Sequence, residues 1–158
     1  MGIWAENVKL HYSVEEVSLE LRTKSMLNPS IFAAFVFRRS ASTKGLQHIF
    51  WRWVGLILFS SDVSAGAQFA GALRVPHPLG ITIGSGAVIG RDLTIFQNVT
   101  IGSSRTGKYP KIGSGVTIYP GAVIAGPVRV GDGAVIGANV FVRKDIPVGG
   151  TTSAEAGS

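Results

Sequence analysis

His77 is the single histidine inside a long repetitive stretch of this 158-residue chain, and Asp62 stands fifteen residues ahead of it. An imidazole can take up and return a proton near neutral pH, and a carboxylate beside it orients the ring and stabilises its charged form. Together they would make a general base. The competing reading is a corner histidine that caps backbone groups, with Asp62 as a turn residue. His11 and His48 lie outside the repeat, so a three-histidine zinc centre of the carbonic anhydrase kind lacks its ligands there. The chain has no cysteine, which removes disulfides and thiolate sites, and no metal is expected.

The repeat itself is what could position such a pair. Apolar residues recur at Val63, Phe69 and Val75, then at Ile83, Ile89, Ile95 and Ile101, then at Ile112, Ile118, Ile124, Val130, Ile136 and Val142. A helix would space them by three and four, and an alternating strand by two. A period of six marks a parallel β-helix, in which each hexad is one short strand plus a turn. With three hexads per coil, the thirteen hexads form a triangular prism of slightly more than four coils. Their aliphatic side chains point inward and stack about 4.8 Å apart from coil to coil. In that count Asp62 starts one face, and His77 lies in the corner leading into the same face one coil later. The two side chains are therefore expected as stacked neighbours.

Residues 1–61 lack the rhythm and read as an N-terminal helical segment, residues 62–147 as the β-helix domain, and residues 148–158 as a C-terminal tail. Ser13 with Glu16 has capping-box spacing and opens a helix running to about Lys24. Asn28-Pro29-Ser30 precedes a second helix, Ile31 to Arg39, and Gly45 a third, Leu46 to Phe59. The third is rich in Ile49, Phe50, Trp51, Trp53, Leu56 and Ile57. Packing on the prism or a neighbouring subunit is favoured over a membrane surface, since Lys44 and Arg52 are its basic anchors. Ile49 to Phe59 is too short to span a bilayer, and Met1 to Leu10 carries no secretory signal, so a cytoplasmic protein without a transmembrane segment is expected. The net charge of +6 is spread evenly over the two regions. That spread argues against a dedicated nucleic-acid arm and is compatible with a polyphosphate-bearing ligand or simply with a basic surface.

Two departures from the period mark where function could sit, because the repeats are committed to packing. Val75 to Ile83 takes eight residues and enlarges the corner from Pro76 to Gly80. Ile101 to Ile112 takes eleven, giving a protruding loop from Ser103 to Pro110. The loop falls on a different corner from His77. A three-fold assembly would set the loop of one chain against the histidine corner of the next, so a homotrimer with sites between subunits is expected.

From Asp62 to Pro147 the chain resembles the serine acetyltransferase group of the hexapeptide-repeat acyltransferases. The resemblance rests on Asp62-Val63-Ser64, on His77 with Gly80 and Ile81, on Gln97-Asn98-Val99-Thr100-Ile101-Gly102, and on Tyr109-Pro110-Lys111-Ile112-Gly113. It implies a left-handed parallel β-helix, a trimer-based assembly, and acetyl-CoA as donor. By the same resemblance His77 matches the catalytic histidine and Asp62 its partner. Backbone at Gly102, Ser103, Pro120 and Ala138 would face CoA, Gly102 and Ser103 also being candidate oxyanion donors. Arg143 and Lys144 would meet its phosphates, or else form a solvated basic pair beside Asp145.

Three substrate-binding positions depart from the group. Pro76 replaces an aspartate before the histidine, and Lys108-Tyr109 replace an Arg-His pair at the loop tip. The residues lost would grip the amino and carboxylate groups of serine, so the charge complement for a zwitterion is gone. The expected acceptor is L-serine or another alcohol such as a sugar, as in exopolysaccharide O-acetyltransferases, which short chains of this kind resemble. A non-catalytic hexapeptide scaffold remains the alternative; it accounts for the repeat but not for the paired histidine and the loop.

Overall fold

The computed structural model describes residues 2–105 and 107–153. Its hexads form strands of two or three residues: β1 (Asp62–Val63), β2 (Gln68–Phe69), β3 (Leu73–Arg74), β4 (Thr82–Ile83), β5 (Val88–Ile89), β6 (Leu93–Ile95) and β7 (Thr100–Gly102). There follow β8 (Lys111–Ile112), β9 (Thr117–Ile118), β10 (Val123–Ala125), β11 (Arg129–Val130), β12 (Val135–Ile136), β13 (Phe141–Val142) and β14 (Thr151–Thr152). They assemble into three parallel sheets: β1-β4-β7-β10-β13 is the first face, β2-β5-β8-β11 the second and β3-β6-β9-β12-β14 the third. The result is a β-solenoid of slightly more than four turns. Its last turn runs past Pro147, with Ile146 bridging Val130 and Thr151 pairing with Val135.

The register explains why aliphatics recur at every sixth position. On the first face Val63, Ile83, Ile101, Ile124 and Val142 lie rung on rung, all buried. Each such side chain contributes about 1.5–3 kcal/mol by leaving water. The corner entering this face is equally regular. Ser60, Gly80, Asn98, Gly121 and Asn139 all take positive φ, a conformation open to glycine and tolerated by small polar residues. Glycine and asparagine alternate there for a steric reason: a Cβ on Gly80 or Gly121 would strike the Asn98 or Asn139 side chain one rung above.

Four helices precede the solenoid: α1 (Ile3–Tyr12), α2 (Leu19–Met26), α3 (Pro29–Ser42) and α4 (Gly45–Phe59). The expectation of a helix opening at Ser13 is corrected. Ser13 ends α1 in a left-handed conformation, and Ser18 caps α2 by accepting from the Leu21 amide at 3.2 Å. Ser13 has the capping-box spacing, yet α1 uses it as its stop, and Ser18, without that spacing, caps the next helix.

The helices close the lower end of the prism. Ala33, Ala34, Val36, Phe37 and Phe59 join the core under the first coil. Polar groups of α1 and α3 then satisfy backbone that a first rung would leave bare. Ser40 donates to the Val63 carbonyl at 2.6 Å, the Leu73 amide donates to Asn7 Oδ1 at 3.1 Å, and the Gly66 amide donates to the Ala41 carbonyl at 3.1 Å. Trp51 and Val54 of α4 pack on the core, whereas Leu46, Ile49, Phe50, Trp53 and Ile57 face outward. Among the described residues no helix is long and apolar enough to cross a membrane.

Candidate active site

The first face carries the residues of interest on its two edges. At its entry corner His77 is exposed, and among the described residues no hydrogen bond or ion pair reaches its ring nitrogens. The enlarged corner sits on the end of α4. The Gly80 amide donates to the Phe59 carbonyl at 3.0 Å, and Ser61 Oγ donates to the Pro78 carbonyl at 3.2 Å and accepts from the Ile81 amide at 3.0 Å. Ser30 of α3 donates to the Pro76 carbonyl at 3.0 Å, fixing the other side of the bend.

Asp62 lies one rung below that corner, its amide bonded to the Ile81 carbonyl at 2.8 Å. The repeat count thus places the two backbones correctly. The expected contact between the side chains is absent. Both carboxylate oxygens of Asp62 accept from Arg52 of α4, Nε and one terminal nitrogen each at 2.7 Å. These hydrogen bonds, and then the carboxylate charge, hold the Arg52 guanidinium still more firmly in its protonated form. Arg52 was not legible as a partner, because the repeat says nothing of how a preceding helix docks.

Pro120 and Ala138 stand above His77 on the same corner, each one residue before a positive-φ corner residue. Alongside runs a column that the sequence reading missed. The outward residues in register with Pro76 are Phe96, Tyr119 and Gly137, each following an inward aliphatic. The Phe96 and Tyr119 rings stack at 5.2 Å between centroids and 9° between planes, and the His77 ring lies 6.1 Å from Phe96. The signal was available as two aromatics at corresponding outward places of successive coils. Beside Phe96, Gln97 buries its side-chain oxygen with no hydrogen-bond partner among the described residues.

The exit edge gathers Gly102, Ser103, Arg143 and Lys144. Gly102 pairs with Ala125, and Arg143 and Lys144 follow β13 two rungs above, with the Arg143 guanidinium 4.5 Å from the Phe141 ring centre. A groove of about 300 Å³ is lined by Phe141, Arg143, Lys144, Ile146 and Thr152 among others. Lys108 is exposed. Tyr109, by contrast, is seated: its ring covers Gly84 and Gly86, leaving no room for a Cβ on either. Hydrogen bonds with Ser85, at 3.4 Å, and Ser103 pull the phenol below its ordinary value. Tyr109 therefore clamps the loop to the rung beneath. The structure thus divides the expected site residues between two edges: His77, Pro76, Pro120 and Ala138 on one, and Gly102, Ser103, Lys108, Tyr109, Arg143 and Lys144 on the other.

The sequence profile of bacterial transferase hexapeptide (six repeats) matches residues 109–144. Serine acetyltransferase of Helicobacter pylori is 32% identical over 157 residues, covering 90% of this chain and 91% of that protein. The crystal structure of Neisseria gonorrhoeae serine acetyltransferase in complex with serine superposes with a TM-score of 0.80 at 28% identity, over 94% of this chain and 64% of that one. A serine acetyltransferase solved in complex with CoA gives a TM-score of 0.80 at 26% identity, over 98% of this chain and 66% of that one. The chain thus spans about two thirds of the solved chains and most of the Helicobacter protein.

Proposed function

The chain belongs to the serine acetyltransferase family, and on that footing we propose that it transfers the acetyl group of acetyl-CoA to an acceptor hydroxyl, with His77 as general base. A free His77 nitrogen takes the acceptor proton while the oxygen attacks the thioester carbonyl. The tetrahedral intermediate then collapses, the C–S bond breaks, and the imidazolium returns its proton to the CoA sulfur. The products are an O-acetyl ester and CoA, and His77 ends as it began. Asp62, held by Arg52 through both carboxylate oxygens, supports the corner from the rung below rather than meeting the imidazole. Backbone N–H groups at Gly102 and Ser103 serve the oxyanion, Pro120 and Ala138 line the pantetheine, and Arg143 and Lys144 meet the phosphates.

The observation that carries this reading is the unencumbered imidazole on the corner that also holds Pro120 and Ala138. Further support comes from the relatives, of which one was solved with serine and another with CoA. Because the two sets of residues occupy opposite edges of one face, a complete site takes an edge from each of two copies. A homotrimer supplies three such junctions.

The test is CoA thiol release from acetyl-CoA, with L-serine and several sugars as acceptors. His77→Ala should lower kcat by about 100- to 10,000-fold while sedimentation shows the assembly unchanged. Undiminished turnover in that variant would remove His77 from the chemistry.

A further inference from the structure

The surroundings of His77 suggest which class of hydroxyl compound it meets. Its chain neighbours are Pro76, Pro78 and Leu79, and its ring lies 6.1 Å from Phe96, on which Tyr119 stacks; none of these is charged. The ion pair beneath, Arg52 with Asp62, is closed on itself by two hydrogen bonds. A free amino acid needs both an anion and a cation to replace its hydration, and this corner presents neither in unpaired form. What it presents is a wall of two stacked rings. Tyr119 is 42% exposed, and the next place in its column is Gly137, which puts no side chain over the ring. Aromatic carbon left in water on a solenoid whose outward positions accept glycine calls for a function.

We propose that the acceptor is an uncharged sugar, bound with a C–H face of its ring against the Phe96–Tyr119 wall and a hydroxyl directed to His77; this rests on the acetyltransferase reading. A pyranose combines apolar faces with a polar rim, which matches an aromatic wall edged by hydrogen-bonding groups. The rim finds a partner in the exposed Tyr119, whose hydroxyl can donate or accept. Phe96 and Tyr119 are then specificity-determining residues that touch the acceptor, and Pro76 removes a charge that a sugar does not need.

The experiment compares the wild-type assembly with Phe96→Leu and Tyr119→Leu, which keep an apolar side chain and remove the ring. Binding of methyl glycosides is read by saturation-transfer NMR without donor, and KM for glycoside, L-serine and acetyl-CoA by thiol release. The expected result is a rise of about tenfold in glycoside KM in each variant, with KM for acetyl-CoA unchanged and a matching loss of the NMR signal. A rise confined to acetyl-CoA would make the wall part of the donor groove and overturn the proposal. So would glycoside binding that is indifferent to both substitutions, or serine turnover with no glycoside bound. Ring-dependent glycoside binding without any acetyl transfer would uphold the wall and sink the transferase reading instead.

Discussion

Replacing Gly86 with alanine isolates the clamp that holds the long loop. Gly86 and Gly84 both have ordinary φ, so alanine strains neither backbone. The obstacle is the Tyr109 ring: a Cβ at Gly86 would lie 2.8 Å from Cγ and 2.9 Å from Cε2, against about 3.5–4.0 Å for carbon atoms at ease. The ring must withdraw by roughly 1 Å, which breaks the Ser85 contact, already at 3.4 Å, and uncovers the glycine turn. One lost hydrogen bond and part of an aromatic contact come to about 1 kcal/mol, or about fivefold in the population of the open loop. Arg105 and Lys108 lie in that loop and supply a direct assay, since trypsin cuts in proportion to the open fraction when closing outruns cleavage. Gly86→Ala should be nicked about five times faster than the wild type, and Tyr109→Ala at least as fast. Gly102→Ala is the control, because its Cβ would meet only Thr100 Cγ2, at 3.8 Å. If Gly86→Ala and Gly102→Ala were nicked at the same rate, the ring would not be what fastens the loop. The phenol gives a second readout: it should titrate closer to its ordinary value once Ser85 and Ser103 are lost.

Two other expectations concern stability. Ile101 is fully buried between Ile83 and Ile124, so Ile101→Ala should cost about 3–4 kcal/mol in urea denaturation, whereas Val142→Ala on the last rung of the first face should cost about 1–2; equal costs would contradict the stacked-core account. Burial, and then the positive charge of Arg74, hold the His11 imidazole below its ordinary value. The unfolded chain therefore takes up that proton first as pH falls, so His11 costs nothing above about pH 6.5 and costs stability progressively below it. A plot of Tm against pH should be flatter below 6.5 in His11→Gln than in the wild type.

The solenoid was readable because its inward positions obey one rule over thirteen hexads, and a fixed register turns each aliphatic into a rung. Counting rungs also put the Asp62 backbone beneath the His77 corner. It failed at the carboxylate itself, since Arg52 arrives from a helix whose docking angle follows no repeat. The outward face was harder still. Tyr109 resembled a substrate contact by position, yet two glycines on the rung below make a seat for its ring, a relation between residues more than twenty apart. The spacing of a capping box also recurs by chance, so Ser13 reads as a helix start although it ends α1.

The hydrogen bonds between the first coil and Asn7, Ser40 and Ala41 give the molecule a direction. A bare rung of parallel strands is a template on which any similar chain could lay itself down, fibril-fashion, without limit. Here that growing end is plugged by groups drawn from the same polypeptide. Lengthening by duplication of a coil can thus occur only above the plug, and Asn7→Ala or Ser40→Ala would loosen the plug before disturbing any part of the chemistry.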